Sequence, residues 1–137
     1  MILVDTNVWS ELVRPEPDKA VLRWESANAT RLWLSTVVVG ELLSGVEWLP
    51  RGNRREQFRA TYDEMLRLHS DRIVPFDLDA ARCYGTVLAI QKCAGRNPGT
   101  ADTQIAATAL VRGMALATRN TQHFEGLGLH LIDPWVS

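Results

Sequence analysis

The 137-residue sequence has few cysteines and no long apolar segment. The cysteines, Cys83 and Cys93, match no zinc or redox spacing, and we expect both to be buried, reduced thiols. No apolar run approaches the roughly 18 residues that a membrane-spanning helix needs, so no membrane association is predicted. The N-terminus also lacks the basic region and cleavage site of a signal peptide. These absences favour a cytoplasmic protein, where thiols stay reduced.

Neither sign of charge is in excess, because 15 basic residues face 16 acidic ones and the formal net charge is −1. Composition therefore does not by itself indicate a nucleic-acid-binding protein. The sequence also lacks a glycine-rich loop after its first apolar segment, which disfavours a nucleotide-binding protein. No two of the histidines (His69, His123 and His130) have the spacing of zinc ligands. Acidic residues remain as the main candidates for chemistry.

Short apolar segments alternate with amphipathic helical segments along the whole chain. We expect strands at 2–4, 32–34, 73–76, 114–117 and 129–132, and helices at 5–12, 18–27, 35–46, 50–72, 77–92 and 100–112. This alternation predicts an α/β fold, a three-layer α/β/α sandwich with a central, mainly parallel five-stranded sheet, in a single domain over residues 1–137. In such sheets, functional sites lie outside the carboxyl ends of the strands.

Three acidic residues stand in apolar or small-residue surroundings. Asp5 follows the first strand, Glu41 lies within VVVGELL, and Asp102 lies within GTADTQIAA. A buried carboxylate is costly, so each needs a hydrogen-bonding partner, a helix terminus or a metal ion. Each also has a simpler explanation: Asp5 as a helix cap, Asp102 as an acid favoured by the helix dipole, and Glu41 as an exposed helix position.

A doubly wound sheet is expected to bring these three acids to one crevice. Their negative charges would repel one another there unless a divalent cation lay between them. Mg²⁺ and Mn²⁺ prefer such oxygen ligands, and a bound ion polarises a phosphoryl oxygen and lowers the pKa of a bound water. The sequence therefore predicts a Mg²⁺- or Mn²⁺-dependent phosphodiesterase whose ligands are Asp5, Glu41 and Asp102.

Four motifs, in order, resemble those of the PIN domain family and more narrowly its VapC and FitB-like toxins of bacterial toxin–antitoxin pairs. They are LVDTNV at 3–8, VGEL at 39–42, ADTQIAA at 101–107 and ATRN at 117–120 continuing to Phe124, and the closing DPW at 133–135 is also typical. The resemblance covers essentially the full chain. It implies a metal-dependent endoribonuclease with Asp5, Glu41 and Asp102 as its catalytic acids.

The resemblance also assigns roles to polar neighbours of these acids. A fourth family position, often Asp, falls on Asn120, which removes one negative charge and favours one firmly held ion. Thr6, Asn7 and Thr118 match positions that often hydrogen-bond the carboxylates or metal-bound waters, although Thr6 is equally well explained as a helix cap. His123 lies where many relatives have an acid, and we interpret it as a surface histidine.

The resemblance further implies an RNA substrate, a small cognate antitoxin protein and a homodimer. Trp9, Leu12 and the helix at 18–27 are candidate antitoxin contacts. Arg119 and Arg96 are candidate RNA contacts, because the arginine fork suits phosphate oxygens. The substrate's identity is not predicted.

Two alternatives remain open at this stage. A haloacid-dehalogenase-like phosphatase would need a second Asp at position 7, where the chain has Asn, and a helper lysine. The chain's lysines, Lys19 and Lys92, are not at predicted strand ends. The other alternative is a degenerate domain that only binds RNA or a protein, which Asn120 leaves open. The arginine-rich segment 51–72 fits either a solvated helix face or a phosphate-binding edge.

Overall fold

The computed structural model of the chain describes residues 1–136, within which five strands alternate with six α-helices. The strands are β1 (Ile2–Val4), β2 (Leu32–Ser35), β3 (Ile73–Val74), β4 (Ala115–Ala117) and β5 (Leu131–Ile132). The helices are α1 (Thr6–Leu12), α2 (Lys19–Asn28), α3 (Thr36–Glu47), α4 (Asn53–Leu68), α5 (Leu78–Cys93) and α6 (Thr100–Arg112). Two 3₁₀ turns, Ala29–Arg31 and Thr121–Phe124, complete the order.

All strand pairs are parallel, and the sheet order is β3-β2-β1-β4-β5. The central strand β1 is buried along its whole length, as expected for a strand covered on both faces. Strands β2 and β3 lie on one side of β1, and β4 and β5 lie on the other side. The direction in which the chain adds strands to the sheet therefore reverses between β1 and β4. Such a reversal leaves a crevice at the carboxyl ends of these two strands. The predicted fold class is confirmed.

The two outer strands are shorter than predicted. Pairing of β3 ends at Val74, because the next residue, Pro75, has no backbone N–H to donate. On the other edge, Gly126 and Gly128 adopt positive φ angles of 79° and 80°, which keep the chain in turns until β5 begins. The central strands, which carry the crevice, follow the prediction closely.

Most helix bounds agree with the predicted ranges to within one residue, although α4 is shorter than the predicted 50–72. The side chains of Asp18, Ser35 and Asp77 accept backbone N–H bonds at the starts of α2, α3 and α5. The predicted range 100–112 is that of α6, with Gly99 at its cap position. Gly113 ends α6 in the left-handed conformation, with φ of 63°.

Two other expectations were wrong. Cys93 is exposed at the last position of α5 and Cys83 is only partly buried, although both thiols are free as expected. Trp9 is 2% exposed and its indole N–H donates to the backbone oxygen of Val4 at 3.1 Å, so it belongs to the core and offers no surface to an antitoxin. Across residues 1–136, every helix is too short or too polar to cross a bilayer.

Candidate active site

Asp5 lies at the reversal point, directly after β1. One carboxylate oxygen, Oδ1, accepts the backbone N–H of Thr6 at 2.8 Å, and the carboxylate thereby caps α1. The backbone N–H of Asp5 donates to the oxygen of Ala117 at 2.9 Å, which extends the β1–β4 pairing by one residue. The side chain is buried, with 5% of the residue exposed. The cap occupies Oδ1 and leaves Oδ2 for other hydrogen-bond donors.

The second oxygen of Asp5 is bound by one side chain that follows β1 and one that follows β4. Oδ2 accepts the hydroxyl of Thr118 at 2.8 Å and the amide of Asn7 at 3.4 Å. The Thr118 hydroxyl in turn accepts the backbone N–H of Asn120 at 3.1 Å, and the Asn7 side-chain oxygen accepts the backbone N–H of Arg119 at 3.2 Å. Since Thr118 is fully buried, this network fixes the direction of the Asp5 carboxylate.

Glu41 reaches the same region from the second turn of α3. Its Oε1 accepts the hydroxyl of Thr6 at 2.6 Å. Thr6 therefore connects the two acids, because its backbone N–H binds Asp5 and its side chain binds Glu41. Glu41 is exposed, so the simpler explanation of its position on the helix surface is correct. Its carboxylate is available to solvent and to a ligand.

Asp102 lies in the first turn of α6 and is partly buried. Burial raises the pKa of its carboxyl above the ordinary value, while the nearby His123 lowers it. Both residues line a cavity of about 240 Å³ formed with the loop at 96–99. His123 is exposed, as predicted, but sequence reasoning did not place it beside Asp102. The only signal was its position in the 3₁₀ turn that follows Asn120.

The carboxyl of Asp5 has a raised pKa. Burial is the largest cause that raises the pKa of Asp5, and the negative charges of Asp102 and Glu41 raise it further. The hydrogen bonds from Thr118 and Thr6 oppose the rise without cancelling it. Burial, with a smaller contribution from these two negative charges, therefore makes the ionised form of Asp5 costly.

The donor set fits a hard divalent cation. Within residues 1–136, no three His, Cys, Asp or Glu side chains lie close enough to form a complete ligand set. The sequence argument expected Asp5, Glu41 and Asp102 to form one ligand set, and the described residues do not bring the three carboxylates that close together. Mg²⁺ usually binds through one or two carboxylates and keeps several waters, so its binding does not require all three. The arrangement disagrees with structural Zn²⁺, which requires a closed tetrahedral set.

The two candidate RNA-binding arginines already have protein partners. The Arg96 guanidinium donates to the backbone oxygens of Gln122 and Glu125 and so supports the 3₁₀ turn. The Arg119 guanidinium lies 4.9 Å from the ring centroid of Trp135, where its charge is attracted to the aromatic face. Arg119 is exposed and Arg96 is partly buried, so Arg119 is the better placed to meet a phosphate.

Comparison with known proteins agrees with the motifs and with this geometry. Residues 2–127 match the family model of the PIN domain. The chain is 46% identical to VapC ribonuclease Y4jK of Sinorhizobium fredii over 98% of each sequence. It is 36% identical to Toxin FitB of Neisseria gonorrhoeae over 98% of this chain and 99% of that protein. The crystal structure of FitAcB from Neisseria gonorrhoeae superposes with a TM-score of 0.91 at 35% identity, over 98% of this chain and 99% of that chain. The motif resemblance is thereby confirmed, and the chain belongs to the PIN domain family.

Proposed function

We propose that the chain is a metal-dependent endoribonuclease, the toxin of a toxin–antitoxin pair, which hydrolyses RNA phosphodiester bonds with a water activated by a divalent cation. The observation that carries this proposal is Asp5, which is buried where β1 and β4 end side by side and whose carboxylate is held by hydrogen bonds from Thr6, Asn7 and Thr118. The similarity to a VapC ribonuclease and to a FitB toxin supports the choice of RNA as substrate.

Asp5, Glu41 and Asp102 are the residues that would hold Mg²⁺ or Mn²⁺, and the bound ion supplies a hydroxide nucleophile and stabilises charge on the phosphate. Thr118 and Asn7 donate hydrogen bonds to Oδ2 of Asp5 and so orient the carboxylate. These supporting bonds matter because the partners behind ligating carboxylates fix their direction.

Thr6 and Asn120 complete the proposed machinery on either side of Asp5. Thr6 donates to Glu41 and so brings an exposed side chain toward the buried one. Asn120 is exposed, and its backbone N–H donates to the hydroxyl of Thr118, so we assign its side-chain amide to the edge of the crevice. A neutral amide there adds no negative charge, which supports one ion in preference to two.

The same proposal includes the protein's partners and setting. We assign residues 1–137 to a single nuclease domain that forms a homodimer and binds a small antitoxin. The candidate antitoxin surface is reduced to Leu12 and α2, since Trp9 is buried. Cytoplasmic action is supported by the free thiols of Cys83 and Cys93.

The alternatives have less support from the geometry. Lys19 is the first residue of α2, and Lys92 is the residue before the last one of α5. Both lysines are exposed. Neither lies at a strand end beside Asp5, where a phosphatase would need its lysine. A module that only binds RNA or a protein is disfavoured because all three acids are present and the carboxylate of Asp5 is held by three hydrogen bonds.

The proposal is tested by incubating purified, antitoxin-free protein with total RNA in the presence of Mg²⁺, Mn²⁺ or a chelator. We expect cleavage by the native chain with either metal and none with the chelator. Asp5→Asn and Asp102→Asn should be inactive, whereas Asp63→Asn, which alters an exposed carboxylate of α4, should cleave normally. Equal cleavage by all four proteins would contradict the proposal, because it would indicate another site or a contaminant.

A further inference from the structure

A second cavity, of about 220 Å³, opens on the Glu41 side of the site between α1, α3 and α4. On α4 the cavity is lined by Arg54, Phe58 and Tyr62. These residues are four positions apart and therefore lie on one face of the helix. Thr6 and Glu41 also line it, and Thr6 connects Glu41 to Asp5 through its hydroxyl and its backbone N–H. The cavity therefore adjoins the Glu41 side of the proposed metal site.

The interior of this cavity is apolar with a few hydroxyl groups. Leu42, Val46 and Leu49 supply aliphatic surface from α3 and the turn that follows it. The hydroxyl-bearing side chains of Tyr62 and Ser10 also line it, and Tyr62 is 7% exposed. Aromatic and aliphatic walls with a few hydroxyl groups suit a flat heteroaromatic ring that has polar edges.

The rim of the cavity carries an available positive charge. Of the α4 arginines, Arg55 and Arg59 pair with Glu47 and Arg67 pairs with Glu64. Arg54 forms no ion pair with any residue in 1–136, and its guanidinium lies 5.7 Å from the ring centroid of Phe58. An exposed guanidinium over an aromatic face can contact a phosphate or stack on a base.

We propose that this cavity binds the nucleobase next to the scissile phosphate of the RNA, with the base against Phe58 and the adjoining backbone phosphate at Arg54. This inference rests on the proposed function. Three observations favour a nucleotide over a protein segment as occupant. The cavity shares Thr6 and Glu41 with the metal site, its free rim charge is positive, and its volume is below the ~300 Å³ at which ligand pockets usually begin. A single ring fits such a space better than a helical ridge does.

Gly45 offers a way to fill the cavity without disturbing the fold. It lines the cavity from α3, and a Cβ built there meets no atom within 4 Å. Gly85, on α5, meets no atom within 4 Å either and is remote from both cavities. Gly45→Leu therefore tests the cavity, and Gly85→Leu is the matched control for a leucine added to an exposed helix position. Arg54→Gln and Arg82→Gln form a second pair, since Arg82 is exposed on α5.

Cleavage of short single-stranded RNAs in Mg²⁺ should separate binding from chemistry. We expect Gly45→Leu to raise KM about tenfold or more, which is the effect of losing one base–aromatic stack, with kcat close to that of the native chain. It should also flatten the base preference at the position next to the cut, measured on RNAs randomised there. Arg54→Gln should raise KM and weaken its salt dependence, because one phosphate contact is lost. Both α5 controls should behave as the native chain.

The outcomes distinguish this inference from the proposed function. Unchanged KM and unchanged base preference in Gly45→Leu, with an active native chain, would overturn the inference alone. Normal RNA cleavage together with lost antitoxin binding in Gly45→Leu would also overturn it and would assign the cavity to a protein partner. If the native chain cleaves no RNA, the inference is tested by measuring the binding of a labelled single-stranded RNA to each variant by fluorescence anisotropy. Weaker binding by Gly45→Leu than by Gly85→Leu would support the cavity, and equal or absent binding would overturn it.

Discussion

Asp5 and Glu41 carry the same charge at the same site but are held in different ways. Asp5 follows the central strand, is 5% exposed and accepts three hydrogen bonds at its carboxylate. Glu41 lies on a helix surface, is exposed and accepts a single bond from Thr6. The difference indicates that Asp5 gives the site its fixed position, whereas Glu41 is free to adjust when an ion or a substrate binds.

The largest predicted effect follows from the fixed acid. Asp5→Asn should lower the rate of metal-dependent RNA cleavage by about 10³-fold or more, because it removes the charge of the best-ordered metal ligand. The rate should be measured at saturating Mg²⁺ beside Asp63→Asn. Activity within tenfold of the native chain would show that Asp5 is only a helix cap.

Glu41→Gln should have a smaller effect, about 10²-fold, since an exposed and adjustable ligand is more readily replaced by water. The loss should be partly recovered at higher Mg²⁺ or Mn²⁺ concentration, whereas the loss in Asp5→Asn should not. Titration of the metal in the cleavage assay checks this difference. An equal loss in both variants, with no recovery in either, would remove the distinction between the two acids.

Sequence reasoning could predict the fixed part of the site better than the adjustable part. Asp5 and Thr118 directly follow two predicted strands of a parallel sheet, so the sequence places both at the same edge of that sheet. Their direct contact depends on the pairing of β1 with β4, which the sequence did not reveal. Nothing local indicates how far a long side chain on α3 reaches, so the exposure of Glu41 was left open between two explanations. The outward position of Cys93 depends on how α5 packs, which its spacing did not reveal.

The hydrogen bonds that orient the Asp5 carboxylate can be tested without replacing any acidic residue. Thr118→Val should lower kcat about tenfold, because Oδ2 of Asp5 loses its shortest bond, and should cost about 1–3 kcal/mol of unfolding free energy by leaving buried polar groups unpaired. Thr118→Ser keeps the hydroxyl and should recover most of the activity. Failure of serine to recover activity would show that the methyl group's packing, and not the hydrogen bond, is what matters.

The smallest effect concerns pH. The pKa of Asp5 is higher in the folded chain than in the unfolded chain, so the folded chain binds the proton more tightly between these two pKa values. The contribution of Asp5 to stability is therefore present at pH values below the unfolded pKa and is lost as the pH rises through the folded pKa. A bound cation favours the ionised form. The rise in melting temperature on adding Mg²⁺ should therefore be larger near pH 8 than near pH 5 by about a few degrees. Asp5→Asn should remove most of this pH dependence, and an unchanged dependence would assign it to other groups.

The most direct test is the anomalous scattering of Mn²⁺ in crystals of the antitoxin-free chain. The account predicts one strong peak at the carboxylate of Asp5, within reach of Asp102 and Glu41 and completed by waters. A crystal of a protein that cleaves RNA in Mn²⁺, with no peak at Asp5 and a peak elsewhere, would contradict it.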